Sequence, residues 1–350
     1  MAKRVTIQDI ADELGISRNT VSKAINNNEG VAEETRERIL RKAANMGYKQ
    51  FSYLNLLSSP SLEADTRPQA AGKPAEIAVL TGKFLHYSHF ASPMLDRFQH
   101  EISTLDYTMR MHQILPENLK NGTLPSTFQT KQAAGVVCIE VFARRYAEMI
   151  CTLGLPVLFI DSPVVFGGAP LPADQLYMEN TVEVARITSE LLRRGKTRIG
   201  FVGDYTHCQS FFERYLAFRS AMMLHGVPVD ETLCIKDPEF EIIHRRIYSM
   251  DPLPDAFLCA NDFIAIDVLD ALRKMGKSVP EDVLLCGFDD SPESRRMIPP
   301  LTTIHIHTQI MAFSAVQLLF SRIKEPNLDY RIVHTQTDLI RRESTGWKQE

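Results

Sequence analysis

The stretch that decides the fold of the N-terminal part of the chain covers residues 6–26 and reads TIQDIADELGISRNTVSKAIN. Thr6 and Asp9 have the spacing of a capping box, which predicts a helix that begins after Thr6. Gly15 is placed to end this helix, and Ser17 is placed to cap a second one. The inward faces of the two helices are apolar and comprise Ile7, Ile10, Ala11 and Leu14, then Val21, Ala24 and Ile25. Two helices joined by so short a turn indicate a helix-turn-helix.

A third helix and a linker follow this pair. Residues 33–46 have the period of an amphipathic helix that carries Ile39, Leu40 and Ala43 on its apolar face, and Gly47 suits its C-terminal cap. Residues 58–75 are rich in Ser, Pro and Ala and have neither a helical nor a strand period, which is typical of a linker. We therefore divide the chain into a head of residues 1–57, a linker of residues 58–75 and a body of residues 76–350.

In the body, apolar strand-like runs alternate with amphipathic stretches. The runs are IAVL from residue 77, GVVCI from 135, PVLFI from 156, RIGFVG from 198, AFLCA from 256 and VLLCGF from 283. The amphipathic stretches between them include residues 94–105, 181–194, 211–225 and 262–275. Continuous apolar strands separated by helices are typical of parallel sheets covered on both faces, so the predicted fold class is α/β with a doubly wound body. At least six strands over about 270 residues indicate two lobes with a cleft between them.

Composition restricts the classes of protein to consider. The chain has 350 residues, of which 44% are hydrophobic and 23% charged, and no apolar run approaches the ~18 residues of a membrane span. The N-terminus lacks the apolar segment of a secretory signal, and the six cysteines form no CxxC pair, so we expect reduced thiols and a cytoplasmic protein. Residues 1–57 carry a net charge of +2 and the remainder carries −6, which is too small an excess to establish nucleic-acid binding by itself.

The second predicted helix carries side chains that can read DNA. Arg18 and Lys23 can donate to guanine or phosphate, and Asn19 can pair with an adenine edge. Hydroxyl groups that can bond phosphates at the helix N-terminus accompany them, namely Ser17, Thr20 and Ser22. A solvated polar face would look similar on an arbitrary helix, but the helices before and after this one occur in helix-turn-helix order, which favours DNA recognition.

Polar residues follow several predicted strands, at the edge where open α/β sheets bind ligands. Asp161 follows VLFI, Asn261 follows FLCA and Asp289 follows LLCGF. Arg214 lies near the start of the helix after IGFVG. Each of the four has a structural alternative: Asn261 and Asp289 can serve as helix caps or turn residues, Arg214 as a surface cation or salt-bridge partner, and Asp161 as an ordinary structural carboxylate.

Histidines occur at two further places where a ligand or a metal ion can bind. His89 and Phe90 follow the first body strand, where they can line the cleft from the other lobe. His305 and His307 share one face of a predicted strand, but the sequence offers no third ligand, so we expect an ordinary strand pair and no metal site.

Residues 5–48, VTIQDIADELGISRNTVSKAINNNEGVAEETRERILRKAANMGY, closely resemble the DNA-binding head of the LacI/GalR family of bacterial transcriptional regulators. The body resembles the effector domain of that family in FIDSP from residue 159, LLRRGKTRIGFVG from 191, ERYLAFRSAM from 213, CANDFIAIDVLDALRKMGKSVPEDVLLCGFDDS from 259 and PPLTTIHI from 299. The resemblance implies a periplasmic-binding-protein-like (type I) pair of lobes that dimerises, binds a small effector in the cleft and thereby changes the affinity for an operator.

The resemblance also implies roles for individual residues. Arg18, Asn19 and Lys23 match base-reading positions. Phosphate-facing or groove-lining positions are matched by Thr6, Ser17, Thr20, Ser22 and Asn26. Positions that often hydrogen-bond the effector are matched by Asp161, Arg214, Asn261 and Asp289. Leu57 matches the hinge leucine that wedges into the minor groove, whereas the rest of the hinge, residues 47–56, departs from the family pattern. Ala32 also departs, because the family usually caps the third helix with Ser.

We therefore predict a sequence-specific transcriptional repressor whose affinity for double-stranded operator DNA is set by a sugar-like effector in the cleft. We expect a homodimer that is nucleoid-associated when bound to DNA, with no cofactor, metal or membrane. Two alternatives stay open: a DNA-binding regulator controlled by a protein partner, and a solute-binding protein or enzyme whose head does not bind DNA. An enzyme is disfavoured because the sequence has no GxGxxG after the first body strand and no GxxxxGK[ST], GxSxG or HExxH motif.

Overall fold

The computed structural model describes residues 6–25, 30–46, 75–82, 90–165, 168–237 and 239–347. Three helices form the head: α1 (Ile7–Leu14), α2 (Arg18–Ile25) and α3 (Glu33–Asn45). The predicted capping box is confirmed, since the Asp9 backbone N–H donates to Thr6 Oγ1 at 3.2 Å and the Thr6 N–H donates to Asp9 Oδ2 at 2.7 Å. Gly15 ends α1 in the left-handed conformation, with φ of 65°.

The head has an apolar core of its own, made by the residues that the sequence predicts. Its buried members are Ile10, Ala11, Val21, Ala24, Ile25, Ile39, Leu40 and Ala43. An Arg36 Nη1 hydrogen bond to the Ala24 carbonyl (3.3 Å) ties α3 to α2, and a Lys42–Glu13 ion pair (2.6 Å) ties α3 to α1. The three helices therefore hold the polar face of α2 outward on a packed support.

The first lobe of the body is built on a six-stranded parallel sheet. Its strands are β1 (Ala75–Thr81), β2 (Tyr107–Gln113), β3 (Ala133–Ile139), β4 (Val157–Ile160), β5 (Asp174–Met178) and β10 (Ile332–Thr335), in the spatial order β10-β5-β4-β3-β1-β2. The helices of this lobe are α4 (Ala91–Ser103), α5 (Pro116–Asn121), α6 (Arg144–Cys151) and α12 (Thr308–Lys324). Alternate residues of β1 belong to different cores, because successive side chains of a strand point to opposite faces.

The second lobe has a three-stranded parallel sheet, β6 (Ile199–Val202), β7 (Ala256–Cys259) and β8 (Leu284–Cys286), and a separate antiparallel pair, β9 (Thr303–Ile306) with β11 (Thr337–Ile340). Its helices are α7 (Val182–Arg193), α8 (Gln209–Leu224), α9 (Phe240–Tyr248), α10 (Asp262–Lys274) and α11 (Pro292–Arg296). Short 3-10 helices span Glu231–Leu233 and Glu343–Thr345. The predicted division into two α/β lobes is confirmed.

Three short connections join the lobes. They are Glu179–Thr181 between β5 and α7, His307 between β9 and α12, and Gln336 between β10 and β11. Hydrogen bonds hold the first and third connections together: the Glu179 N–H donates to the Thr335 carbonyl at 2.7 Å, and Thr337 Oγ1 donates to the Glu179 carbonyl at 3.0 Å. His307 Nε2 lies 3.1 Å from Asp338 Oδ2 on β11. The three connections therefore form one hinge region.

The six predicted strand runs all coincide with strands, and the first strand begins at Ala75, one residue before the predicted domain boundary. The sequence did not predict β2, β5, β10 and β11, which are short or carry many polar residues. His305 lies on β9 as predicted, but His307 lies just past the end of that strand, so the two do not share a strand face. The predicted hinge of residues 47–57 and nearly all of the predicted linker lie outside the described residues. Among the helices that the structure describes, none is both long and apolar enough to cross a bilayer.

Asp174 anchors the edge of the first lobe through a buried ion pair. Its side chain is 1% exposed and accepts from Arg322 Nε at 2.9 Å and from the Arg331 backbone N–H at 2.8 Å. These partners hold the pKa of Asp174 below its usual value although burial alone would raise it.

We expect Asp174→Asn to lower the free energy of unfolding by about 3–5 kcal/mol, because the charge of Arg322 is then left buried without its counter-ion. Glu148→Gln is the matched control: it breaks the exposed Arg144–Glu148 pair at 2.9 Å and should cost less than about 1 kcal/mol. Urea denaturation of the full-length variants at neutral pH measures both. Equal losses of unfolding free energy from the two substitutions would contradict the interpretation that Asp174 forms a stabilising buried ion pair.

Candidate functional site

A cavity of about 310 Å³ lies between the two lobes, at the carboxyl ends of both parallel sheets. Its volume is at the lower end of the range for small-molecule sites, roughly 300–1,000 Å³. The first lobe contributes Phe90, Glu140, Phe142, Asp161 and Met178. The second lobe contributes Asp204, His207, Cys208, Ser210, Phe211, Arg214, Asn261, Phe263, Ile264, Asp267 and Asp289. Five of the six predicted cleft residues therefore line one cavity, and the sixth, His89, lies outside the described residues.

Three of the lining carboxylates occupy an unusual backbone conformation just past the end of a strand. Glu140 follows β3 with φ of 55°, Asp161 follows β4 with φ of 57°, and Asp289 lies beyond β8 with φ of 118°. Residues other than glycine rarely adopt positive φ, and such strain concentrates at functional sites. In each case the turn brings a carboxylate to the cavity at the point where the strand ends.

Asp161 is buried at the seam between the lobes. Its Oδ1 accepts from the backbone N–H groups of Ser162 (2.8 Å) and Ser210 (3.2 Å), and Ser210 belongs to the first turn of α8 in the other lobe. Burial raises the pKa of Asp161 to about 6, and the hydrogen bonds from Ser162 and from Cys208 limit the rise. Asp161 therefore joins the lobes as well as lining the cavity.

Arg214 is 3% exposed and most of its guanidinium is engaged by the protein. Nε donates to Asn180 Oδ1 at 2.9 Å, and Nη1 donates to the Ala260 carbonyl at 2.6 Å. Its Cζ lies 3.4 Å from the centroid of the Phe288 ring. Burial lowers the pKa of Arg214, and the charge of Asp289 is the largest effect in the opposite direction. Arg214 is therefore a buried cation, not the surface cation that the sequence left open.

Asp289 and Asn261 both line the cavity, and Asn261 also caps a helix. Burial raises the pKa of Asp289 well above its ordinary value, and Arg214 opposes that rise. Asn261 is the N-cap of α10, with Oδ1 accepting from the Ile264 N–H at 3.0 Å. The structural alternative for Asn261 is thus confirmed for its oxygen, and the Nδ2 group is what this side chain can offer to a ligand.

Sequence reasoning missed several lining residues. They are the carboxylates Glu140, Asp204 and Asp267 and the rings Phe142, Phe211 and Phe263. Glu140 and Asp204 each come directly after a strand run that the sequence predicts, so the rule that found Asp161 could have found them. Asp267 lies nearly two turns into α10, and only the facing lobe shows that its side of the helix meets a cavity.

A hydrogen-bonded chain runs from the cavity to the hinge. Arg214 donates to Asn180 in the first connection, and Asn180 Nδ2 donates to Glu213 Oε2 at 2.8 Å. Glu213 Oε1 lies 3.6 Å from His334 Nε2 on β10, next to the third connection. Burial would raise the pKa of Glu213, but its bonds with His334 and Gln209 lower it overall, and Glu213 raises the pKa of His334.

In the head, the predicted DNA-facing residues that the structure describes are exposed or partly exposed. Ser17 caps α2, since its Oγ accepts from the Thr20 N–H at 3.0 Å. The exposed residues are Ser17, Arg18, Asn19 and Thr6, and the partly exposed ones are Thr20, Ser22 and Lys23. Lys23 Nζ lies near Gly30, 3.7 Å from where a Cβ would stand. Asn26 and Leu57 lie outside the described residues.

His305 and His307 are each engaged by a carboxylate. His305 Nδ1 lies 3.0 Å from Asp290 Oδ2, and His307 Nε2 lies near Asp338. Across the described ranges, no group of three or more His, Cys, Asp or Glu side chains has the geometry of a metal site.

Comparisons with known proteins match two parts of the chain. Residues 6–50 match the model of bacterial regulatory proteins of the lacI family, and residues 188–345 match a periplasmic binding protein-like domain. The HTH-type transcriptional repressor PurR of Histophilus somni (strain 129Pt) is 28% identical over 97% of this chain and 98% of its own length. The chain thus combines a LacI-family head with a periplasmic binding protein-like domain. The HTH-type transcriptional regulator GalR of Streptococcus thermophilus is 26% identical over 97% of this chain and 99% of its own length.

Solved structures of the family share the fold. A transcriptional regulator CelR in complex with cellobiose superposes with a TM-score of 0.69 at 22% identity, covering 97% of this chain and all of that one. A Lac repressor dimer bound to operator and the anti-inducer ONPF superposes with a TM-score of 0.66 at 19% identity, covering 98% of this chain and 99% of that one. The relatives matched by sequence are transcriptional regulators, not enzymes, and the head matches the model of bacterial regulatory proteins of the lacI family.

The pKa of Asp161 gives a testable dependence of stability on pH. The folded pKa of about 6 lies above the ordinary value of 3.8, so the folded state binds more protons between these limits. The contribution of Asp161 to stability is therefore complete below pH 3.8 and is lost as the pH rises through about 6, by about 3 kcal/mol in total, of which about 2 kcal/mol is lost between pH 4 and pH 6.

Asp161→Asn should remove this loss, because the amide oxygen can accept the same N–H groups and Asn tolerates positive φ. We expect the stability of the variant, relative to the wild type, to increase between pH 4 and pH 7. Urea denaturation across that range measures the difference, in which groups common to both proteins cancel. A constant difference would contradict the raised pKa.

Proposed function

We propose that this regulator is a homodimeric repressor whose operator affinity is changed by a small neutral or cationic metabolite, sugar-like in character, bound between the lobes. Each α2 would lie in a major groove of a roughly palindromic operator, with half-sites about one helical turn, ~34 Å, apart. We assign DNA binding to residues 1–57 and a connecting role to residues 58–75. We assign effector binding and dimerisation to residues 76–350. The protein would be associated with the bacterial nucleoid while it is bound to DNA.

The observation that carries the DNA-binding part is the accessible polar surface of α2 on a packed three-helix support. Arg18 and Asn19 project into solvent, whereas Val21, Ala24 and Ile25 of the same helix are buried. A guanidinium and an amide are the groups that recognise guanine and adenine edges in the major groove. We assign base reading to Arg18, Asn19 and Lys23. Backbone contacts are assigned to Thr6, Ser17, Thr20, Ser22 and Asn26, and minor-groove contact to Leu57.

The observation that supports effector binding is the interlobe cavity and its link to the hinge. The cavity gathers Asp161, Arg214, Asn261 and Asp289 with Phe90, and we assign His89 to the same site. Carboxylate, amide and guanidinium groups hydrogen-bond the hydroxyls and ring nitrogens of small metabolites. Cellobiose is named in the CelR complex and an anti-inducer in the Lac repressor complex, which favours a sugar-like ligand.

The effector would act by changing the angle between the lobes. Arg214 contacts the hinge through Asn180, so a ligand that displaces Arg214 or Asp289 would alter the bonds that hold the connections. A ligand shifts such an equilibrium only by its difference in affinity for the two arrangements.

Arg18→Ala should relax base preference at its position and leave folding intact, because Arg18 is exposed and outside the apolar core. Its loss should cost about 1–3 kcal/mol of discrimination, or roughly fivefold to 150-fold in affinity ratio. Arg38→Ala removes the same charge from an exposed position of α3 and serves as the control. Fluorescence anisotropy on selected and scrambled duplexes at two salt concentrations measures both variants. A wild-type protein without any sequence preference would overturn the DNA-binding assignment.

A thermal-shift panel of hexoses, disaccharides, hexosamines, hexose phosphates, uronates and nucleobases tests the effector assignment. We expect at least one class to raise the melting temperature and to change operator affinity by about fivefold to a hundredfold or more. Asp289→Asn should abolish the shift, while Arg219→Gln, on the outer part of α8 with Arg219 paired to Glu231, should not. A stable protein whose operator affinity no panel compound alters would instead favour control by a protein partner.

A further inference from the structure

We propose that the effector carries a cationic nitrogen, as an amino sugar does. This inference rests on the proposed function, because it names the chemical class that the interlobe cavity selects. Its starting point is the charge of the lining. Among the described residues, the lining holds five carboxylates and one guanidinium, namely Glu140, Asp161, Asp204, Asp267 and Asp289 with Arg214.

The single guanidinium is already committed to the protein. Two of its nitrogens donate to Asn180 and Ala260, and its plane covers the Phe288 ring. Burial lowers its pKa, and Asp289 has the largest electrostatic effect in the opposite direction. Arg214 therefore cannot neutralise the remaining carboxylates, and it offers little to an anionic group on a ligand.

Glu140, Asp204 and Asp267 are the carboxylates that Arg214 leaves without a counter-charge. Asp204 Oδ1 already accepts from the Thr206 N–H (2.8 Å) and from Thr206 Oγ1 (2.5 Å), which leaves Oδ2 for a ligand. No Lys or Arg of the described ranges lies within 4 Å of any of the three in an ion pair. Asp204 is one of the charges that raise the pKa of Lys236. The Lys236 side chain, however, lies over the Tyr205 ring, with Nζ 4.5 Å from the ring centroid. Burial raises the pKa of Asp267, and the charge of His244 opposes that rise. His244 Nε2 itself pairs with Asp270 Oδ2 at 3.4 Å. All three carboxylates are partly buried, so closure of the lobes would further deprive them of water.

Aromatic rings complete the lining. Four phenylalanines contribute to it, namely Phe90, Phe142, Phe211 and Phe263. The face of an aromatic ring attracts a cation, and it also packs against the C–H face of a sugar ring. Carboxylates together with aromatic faces form the combination that recognises an ammonium group on an organic scaffold.

The alternatives fit this lining less well. A sugar phosphate or a uronate would bring negative charge into a cavity that already carries an excess of it. A neutral sugar could occupy the Asp161, Asn261 and Asp289 side of the cavity by hydrogen bonds. It would leave Glu140, Asp204 and Asp267 desolvated without a counter-ion when the lobes close.

The experiment compares sugars of one ring type that each differ from the parent at a single carbon and that are cationic, neutral or anionic. Isothermal titration of the full-length protein uses glucosamine, N-acetylglucosamine, glucose and glucose 6-phosphate, with the same four forms of galactose and mannose. In the series that binds best, we expect the amine to bind at least about tenfold more tightly than the acetylated and parent sugars. Binding of the amine should weaken as salt increases, whereas binding of a neutral sugar should not.

Isosteric substitutions identify the groups responsible. Glu140→Gln, Asp204→Asn and Asp267→Asn should each reduce the preference for the amine over the acetylated sugar by about threefold to tenfold. Glu281→Gln removes one exposed carboxylate that does not line the cavity, and it should leave that preference unchanged. Melting temperatures of the unliganded variants verify that each is folded.

The outcomes separate this inference from the proposed function. Equal or tighter binding of a neutral or phosphorylated sugar overturns the cationic effector but leaves effector control standing. If none of the three amines binds at millimolar concentration, the inference of a cationic effector is also overturned. The proposed function still stands in that case if another compound changes operator affinity. If the amines bind but never change operator affinity, the proposed function fails while the charge selectivity of the cavity holds.

Discussion

The buried guanidinium of Arg214 is the interaction on which the arrangement of the two lobes depends. Removing a charge from water is costly, and here the cost is offset by two hydrogen bonds, the face of Phe288 and the carboxylate of Asp289. These partners come from β7, from the segment after β8 and from the first hinge connection, so the position of one side chain couples three parts of the fold. A ligand that contacts Arg214 would therefore act on a group that is hydrogen-bonded to the first hinge connection.

The sequence was a good guide wherever local chemistry determines structure. Thr6, Asp9 and Gly15 specify the ends of α1 by capping, and the apolar runs specify the central strands of both sheets. Strand ends also predicted Asp161, Asn261 and Asp289, because parallel strands bring their carboxyl ends to one edge. Polar edge strands such as β2 escaped notice because the alternation of apolar residues there is weak.

The sequence could not predict the features that arise where the two lobes face each other. Asp267 and Phe263 occupy an ordinary amphipathic helix, and only the opposing sheet turns that face into a wall of the cavity. The burial of Arg214 has the same origin, since its partner Asn180 lies 34 residues away along the chain. Positive φ at Glu140 and Asp161 is likewise invisible in a residue type, although it positions both carboxylates.

The hinge has a mechanical consequence. The first and third connections are bonded to each other through Glu179, and His307 of the second connection lies 3.1 Å from Asp338 on β11, so all three crossings lie close together. Under the proposed effector control, rotation about these crossings would convert occupancy of the cavity into a change of one angle between the lobes. Because the head precedes β1 in the chain, the first lobe follows it directly, and the second lobe would influence it through that angle.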